Sequence, residues 1–255
     1  MGDIEWDQHA FEKLILPYDY KDLILAFSES QLSHKDNFDD IISGKGQGII
    51  MLLSGEPGVG KTLTAESVAE QMRRPLYSIS AGELGQSANS LERNIQKILE
   101  IATKWDAILL LDECDVFLEQ RTASDIERNK LVSIFLRLLE YYKGVMFLTT
   151  NRVSTFDAAF KSRIHLSINY PSLDYNARRL VWATFTDPVS GHSSNYKSEL
   201  TGEDLDELAN LKLNGREIKN IVKTARLLAQ RKDSPLAIEH VRTVLRIKKD
   251  EIPDA

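Results

Sequence analysis

Three groups of side chains in this chain have the types and spacing for phosphate chemistry. The first is the run Gly55-Glu56-Pro57-Gly58-Val59-Gly60-Lys61-Thr62-Leu63, which fits the pattern G-x4-G-K-[ST]. Its glycines let the backbone curl so that successive N–H groups point at an anion. Lys61 is placed to reach the β- and γ-phosphates, and the Thr62 hydroxyl is suited to ligate Mg²⁺. This run predicts the binding of a nucleoside triphosphate.

The second and third groups follow two apolar runs further along the chain. Asp112 and Glu113 come directly after residues 107–111, and Asn151 follows residues 145–150. A carboxylate at the end of a buried strand can hold Mg²⁺, and its neighbour can take a proton from an attacking water. An Asn can donate to a phosphate oxygen and accept from that water. Taken alone, these residues also fit ordinary turns; beside the phosphate loop they favour triphosphate hydrolysis.

The elements that must position these residues alternate in type. The apolar runs 49–53, 107–111 and 145–150 predict covered strands, and helical periods lie between them. This alternation indicates right-handed crossovers and a parallel sheet. The chain then shows only helical periods, at 177–185, 205–211, 216–231 and 237–248. We therefore expect an N-terminal lead-in over 1–16, an α/β nucleotide-binding domain over 17–173 and a helical domain over 174–255.

Composition excludes several other classes of protein. A net charge of −6 disfavours a generally basic nucleic-acid binder. A single cysteine, Cys114, excludes an intramolecular disulfide and a cysteine-rich zinc site, and we expect it to be a packed residue. No apolar run approaches the ~18 residues of a membrane span, and the start of the chain has no signal-peptide pattern. We expect an intracellular, soluble protein with no membrane span; no sorting signal chooses a compartment.

The order of the motifs resembles that of the AAA+ ATPases. The loop 55–62, the acids that end 109–113, Thr150-Asn151, the stretch 156–163 and Asn214-Gly215-Arg216 follow one another as in that family. The resemblance extends from about residue 14 to residue 247 and is closest to AAA modules of large fungal proteins. It implies a P-loop NTPase fold, in which a parallel five-stranded sheet is flanked by helices and followed by a small all-helical lid domain.

The resemblance also implies a role for each residue. The loop is Walker A, Asp112 holds the metal with Thr62, and Glu113 is the catalytic base. Asn151 matches sensor 1, and Arg216 matches sensor 2, a phosphate ligand. The implied ligands are ATP and Mg²⁺. The implied assembly is a ring of identical subunits, a hexamer, that remodels a protein substrate.

One residue carried over from the family would act on a neighbouring subunit. Arg163 resembles the arginine finger, which completes the ATP site of the next protomer in the ring. The alternative for Arg163 is a surface salt bridge, since single Arg side chains are commonly exposed. Arg152, beside Asn151, is a second candidate for an interface arginine.

Two features depart from the family pattern. Arg216 is absent from many members of the narrower AAA group, so its role here is a separate question. The family's aromatic pore loop corresponds to residues 82–89, which contain no aromatic residue. We therefore expect no threading of a polypeptide by an aromatic grip.

Three functions remain open at this point. The first is an ATP-hydrolysing AAA+ module that remodels a macromolecule. The second is a nucleotide-dependent switch or assembly module with little turnover. The third is a nucleic-acid motor, suggested by Lys219, Lys223 and Arg226 on one helix, for which a solvated helix face is the simpler explanation. A GTPase is disfavoured because Asn129-Lys130-Leu131-Val132 lacks the acid of the guanine-binding motif.

Overall fold

The computed structural model of the chain contains a parallel sheet of five strands. It describes residues 6–7, 9–16, 18–33, 47–85, 88–118, 126–152, 158–187 and 197–251. The strands are β1 (Ile49–Gly55), β2 (Leu76–Ser80), β3 (Ile108–Asp112), β4 (Val145–Thr150) and β5 (Leu166–Tyr170). Their order in the sheet is β2-β3-β4-β1-β5, and all neighbours are parallel. The predicted α/β class and five-stranded parallel sheet are confirmed.

The central strands β1 and β4 are buried along their whole length because both faces of the sheet are covered. Every residue of β1 and β4 is buried, and β4 pairs with β1 on one side and with β3 on the other. The register places Ser54 beside Thr150 and Leu111 beside Leu148. The last residues of β1, β3 and β4 therefore meet at one edge of the sheet.

Helices connect the strands of this first unit. They are α1 (Tyr18–Ser33), α2 (Lys61–Met72), α3 (Ala88–Lys104), α4 (Asp115–Leu118), α5 (Ile126–Tyr141) and α6 (Ala158–Lys161), with a 3₁₀ turn at Ala81–Leu84. The apolar faces of α3 and α5 meet the sheet in one core, which contains Leu91, Ile95, Phe135 and Leu139. This core holds the strands that carry the polar residues at the sheet edge.

The outer strands differ from the central ones in exposure. β2 is half-buried, and β5 alternates between buried and exposed residues, so that only Ile168 and Tyr170 are buried. An edge strand of this kind has no long apolar run, which explains why the sequence pattern does not locate β5. The parallel pairing of β5 with β1 places Tyr170 beside Gly55.

The remaining helices form a second compact unit. It begins at Pro171 and contains α7 (Tyr175–Thr186), α8 (Gly202–Ala209), α9 (Gly215–Arg231) and α10 (Ile238–Glu251). Its core contains Trp182, Leu208, Ile218, Ile221, Val222 and Val241. The helical lid predicted for the C-terminal part of the chain is confirmed. No helix among the described residues is long and apolar enough to cross a membrane.

Removing a central core side chain tests this assignment of the sheet. Phe147 lies on β4 and is 0% exposed. Replacing Phe147 by alanine leaves a cavity in the core beside the sheet. We expect the free energy of unfolding to fall by about 3–5 kcal/mol. Urea unfolding followed by circular dichroism measures this change. The control is Trp105→Ala, where the side chain is 59% exposed and the expected change is about 0.5 kcal/mol or less. Equal effects of the two substitutions would contradict the placement of β4.

Candidate nucleotide-binding site

The loop between β1 and α2 has the backbone conformation that its glycines predict. Gly58 has φ +77° and Gly60 has φ +109°, both in the region that residues with a side chain rarely adopt. Gly60 stands at the N-cap of α2, and its carbonyl accepts the Thr64 N–H at 3.0 Å. The start of an α-helix is a place where backbone N–H groups can bind an anion, and the loop leads directly into the start of α2.

Lys61 is the best-connected polar group of the site. Its ammonium donates to the carbonyls of Gly55 and Glu56, each at 2.8 Å, and to Asn151 Oδ1 at 2.9 Å. Only 7% of Lys61 is exposed, and a buried ammonium needs such acceptors. The lysine contact requires the carbonyl oxygen of the Asn151 amide to face Lys61, because an ammonium only donates. The loop and the end of β4 are therefore joined by Lys61.

Thr62 and Asp112 also meet, as a metal site requires. The Thr62 hydroxyl lies 3.3 Å and 3.2 Å from the two carboxylate oxygens of Asp112. A hydroxyl and a carboxylate are hard oxygen ligands of the kind that Mg²⁺ takes together with phosphate oxygens and water. Among the described residues there is no cluster of three or more acidic, His or Cys side chains that could hold a metal ion without phosphate oxygens or water as further ligands. The pair fits a metal bound together with a nucleotide.

Glu113 projects from a strained backbone at the end of β3. It has φ +57°, a conformation that costs about 1–3 kcal/mol and is found preferentially at functional sites. Thr149 on β4 holds the strain in place: its hydroxyl accepts the Glu113 N–H at 3.0 Å and donates to Asp112, and its carbonyl accepts the Cys114 N–H at 2.8 Å. The side chain of Glu113 is exposed. A carboxylate in this position is open to water.

Asn151 is held by a residue that the sequence does not single out for the site. Asp115, in the first turn of α4, accepts the Asn151 N–H at 3.1 Å and also the Thr150 hydroxyl. The sequence supplies a weak signal for this arrangement, since Thr149 and Thr150 place two hydroxyls at the end of an otherwise apolar strand. The structure brings these hydroxyls to the acids that follow β3.

Comparison with known proteins bears on the same residues. The model of the family described as "ATPase family associated with various cellular activities (AAA)" matches residues 51–172. This chain contains an AAA ATPase domain. The matched range includes Lys61, Asp112, Glu113, Asn151 and Arg163.

Several known proteins are similar to this chain at 26–30% identity. A protein of Methanothermobacter thermautotrophicus, named as a homolog of a 26S proteasome regulatory subunit, is 29% identical over 210 residues, covering 78% of this chain and 55% of that protein. The 26S proteasome regulatory subunit 4 homolog B of Arabidopsis thaliana is 26% identical over 245 residues, covering 89% and 53%. The human ATPase family gene 2 protein homolog B is 30% identical over 155 residues, covering 56% and 20%. The chain spans about half the length, or less, of these relatives.

The polar contacts that the structure gives for Arg163 of the AAA domain do not involve Lys61, Asp112 or Asn151. Its guanidinium pairs with Glu140 on α5 and donates to the Ala159 carbonyl at 2.7 Å. The side chains of Arg163 and Glu140 are 25% and 21% exposed. The structure thus shows Arg163 in an ion pair within its own chain. Residues 153–157, which include Phe156 and Asp157 of the motif before it, lie outside the described residues.

Arg216 belongs to the second unit and stands in the first turn of α9. The helix begins with a capping box, in which Asn214 Oδ1 accepts the Glu217 N–H at 2.9 Å and Glu217 accepts the Asn214 N–H at 2.8 Å. The loop residues Pro57–Val59 group with this unit, and the Gly215 N–H donates to the Gly58 carbonyl at 2.9 Å. A side chain at position 215 would lie 2.7 Å from that carbonyl oxygen, which explains the glycine. Arg216 itself is exposed.

Two other features of the AAA domain differ in how far they are open to solvent. Cys114 is fully buried, and burial, aided by the Asp112 charge, raises the pKa of its thiol, so the residue stays neutral. Residues 82–89, which were matched to the family's pore loop by resemblance, begin within the 3₁₀ turn Ala81–Leu84, where Gly82 and Glu83 are exposed. Gln86 and Ser87 of that region lie outside the described residues.

Proposed function

We propose that this chain binds ATP with Mg²⁺ and hydrolyses it in a ring of identical subunits, and that turnover remodels a protein. One observation carries the proposal: Lys61 contacts Asn151 and Thr62 contacts Asp112, so that the ends of three neighbouring strands converge on one loop. These are the residues that phosphoryl transfer needs in one place, since its catalysis consists mainly of positioning and charge stabilisation.

Each residue has a separate part in the proposed reaction. Lys61 exchanges carbonyl contacts for the β- and γ-phosphate oxygens when ATP binds, and backbone N–H groups of the loop Gly55–Leu63 hold the same phosphates. Glu113 takes the proton of the attacking water, and Asn151 orients that water through its amide nitrogen. Thr62 and Asp112 would hold Mg²⁺, which would supply positive charge to neutralise the phosphates. We propose Arg216 as a further phosphate ligand.

The proposed ring makes Arg163 a residue that acts on the neighbouring subunit. The Arg163–Glu140 pair is half-buried, and Arg163 lies two residues after the end of α6, at the position that matches the family's finger. We propose that ring assembly moves the guanidinium from Glu140 to the γ-phosphate bound by the next subunit, and that the ring is a hexamer. The names of two relatives, which refer to the proteasome, support assembly with other protein chains and a protein substrate.

A nucleic-acid substrate has less support than a protein substrate. Of the three basic residues in the stripe predicted on α9, Lys219 and Lys223 are exposed, whereas Arg226 is half-buried and donates to the Phe185 carbonyl. The stripe predicted from the sequence therefore has two outward cations, and the net charge of the chain is −6. Such a surface is poor in the positive charge that phosphate backbones require.

A nucleotide-dependent switch or assembly module is the second candidate function. The observation that favours it is the absence of an aromatic residue from 82–89, the segment that grips polypeptide in the family. The two functions differ in turnover. Multiple ATP turnovers per subunit, increased by an unfolded polypeptide, support the remodelling function. A single slow turnover that changes the size of the assembly supports the switch.

Replacing Lys61 tests nucleotide binding by itself. In Lys61→Met the side chain stays long and unbranched but loses its charge, so the charge-assisted hydrogen bonds to phosphate are lost. We expect the Kd for ATP·Mg²⁺ to rise about 10- to 100-fold. Isothermal titration calorimetry measures this change, with Lys97→Met, on the exposed side of α3, as the matched control. A Kd within about twofold of the control would contradict the proposed site.

A further inference from the structure

The end of β4 is held to the loop after β3 by a carboxylate that no step of the proposed reaction uses. Asp115 Oδ1 accepts the backbone N–H of Asn151 at 3.1 Å and, at the same time, the hydroxyl of Thr150. Asp115 is half-buried and stands three residues after Asp112. Asp115 thus accepts hydrogen bonds from two consecutive residues, Thr150 at the end of β4 and Asn151 directly after it.

Thr150 extends this connection to the residue after Asn151. Its side chain is 1% exposed, and its hydroxyl oxygen accepts the Arg152 N–H at 3.1 Å. The backbone is therefore held on both sides of Asn151, by Asp115 on one side and by Thr150, itself bound to Asp115, on the other. This matters because Asn151 follows the last strand residue and its side chain is exposed, so local packing does little to orient it.

We propose that Asp115 is a positioning residue for Asn151, a role that rests on the proposed function of ATP hydrolysis. The Asn151 Oδ1 faces Lys61, which leaves the amide nitrogen for the water or the γ-phosphate. A displacement of about 1 Å at such a group can cost about 100-fold in rate. Asp115 sets that position through the backbone of Asn151 and touches no reacting atom.

A carboxylate in the first turn of a helix also has a simpler use. A negative charge there interacts favourably with the positive end of the helix dipole and with the N–H groups of the first turn. Such a role would stabilise α4 and would be independent of Asn151. The two roles therefore differ in one measurable quantity, the energetic coupling between Asp115 and Asn151.

A double-mutant cycle measures this coupling. We expect Asp115→Ala to lower kcat about 10- to 100-fold with KM for ATP within about twofold, because the substrate contacts remain. Asp115→Asn keeps an acceptor oxygen for both hydrogen bonds, and we expect it to retain kcat within about threefold. In an Asn151→Ala background, Asp115→Ala should have no further effect. Amide exchange in wild type and Asp115→Ala provides a readout without turnover: we expect the Asn151 N–H to exchange faster while β4 stays protected.

The outcomes distinguish this inference from the proposed function. Equal losses from Asp115→Ala with and without Asn151, or an Asp115→Asn variant as impaired as Asp115→Ala, would overturn the positioning role and leave the proposed function intact. A wild-type chain without turnover would overturn both. Asp204→Ala is the control for the loss of a helix-start carboxylate: it removes the acceptor of the Thr201 N–H at α8, and we expect reduced stability with unchanged kcat.

Discussion

Glu113→Gln is expected to lower ATP turnover by about 100-fold or more while ATP binding stays within about twofold of wild type. The amide has nearly the shape of the carboxylate but accepts no proton, so the attacking water loses its base. Binding is retained because Glu113 is exposed and none of the hydrogen bonds that join Lys61, Thr62, Asp112 and Asn151 uses its side chain. Phosphate release under saturating ATP measures turnover, and calorimetry measures binding.

A matched substitution separates this effect from a general change in charge. Glu100→Gln changes an exposed glutamate on α3 in the same way and is expected to leave both quantities unchanged. If Glu113→Gln hydrolyses ATP at the wild-type rate, Glu113 is not the base. If it loses binding as well, the Glu113 carboxylate contributes to ATP binding, and the loss of turnover does not identify it as the base.

Arg163→Ala is expected to lower turnover in the assembled protein by about 10³-fold or more, the effect of removing a finger that stabilises the transferred phosphoryl group. The alternative is that the ion pair with Glu140 only holds α5 to the turn after α6. A half-buried pair of this kind affects stability and has no reason to change kcat in a folded protein. Arg137→Ala is the matched control, since Arg137 lies on α5, the helix that carries Glu140, and pairs with Glu92 at 2.6 Å.

Mixing two inactive variants tests action between subunits. Glu113→Gln subunits retain Arg163, and Arg163→Ala subunits retain Glu113. In a mixed ring, a finger that acts in trans completes the site of an Arg163→Ala subunit next to a Glu113→Gln subunit, and activity returns at those interfaces. A finger that acts within its own chain restores nothing. Turnover that is independent of protein concentration and insensitive to Arg163→Ala would contradict the ring.

Helix and strand positions were predictable wherever one residue pattern dominated. The periods at 177–185, 205–211, 216–231 and 237–248 correspond to α7, α8, α9 and α10, because each helix buries a single apolar face. The predominantly apolar runs predicted β1, β3 and β4, since both faces of the sheet are covered. β5 escaped the pattern because an edge strand keeps exposed residues between its buried ones.

Contacts between residues distant in the chain were not predictable in the same way. Arg226 fits the exposed stripe of α9 by its spacing, yet it donates to the Phe185 carbonyl of another helix. Thr149 and Asp115 have no motif that marks them, and their part in holding Glu113 and Asn151 depends on hydrogen bonds across two strands. Residue type alone does not specify such partners, because many hydroxyls and carboxylates of this chain lie at the surface.

The sequence by itself predicted which groups make up the candidate site: a glycine-rich loop, two acids after an apolar strand and an amide after the next one. Only the tertiary structure decided how these groups meet. β4 lies between β1 and β3 although it follows both in the chain, and this order brings Asn151 to Lys61, and Thr149 to Asp112. The physical reason is that the order of strands in a parallel sheet depends on how the helices pack on its two faces and on how the connections run between strands. The residues of a single strand specify neither.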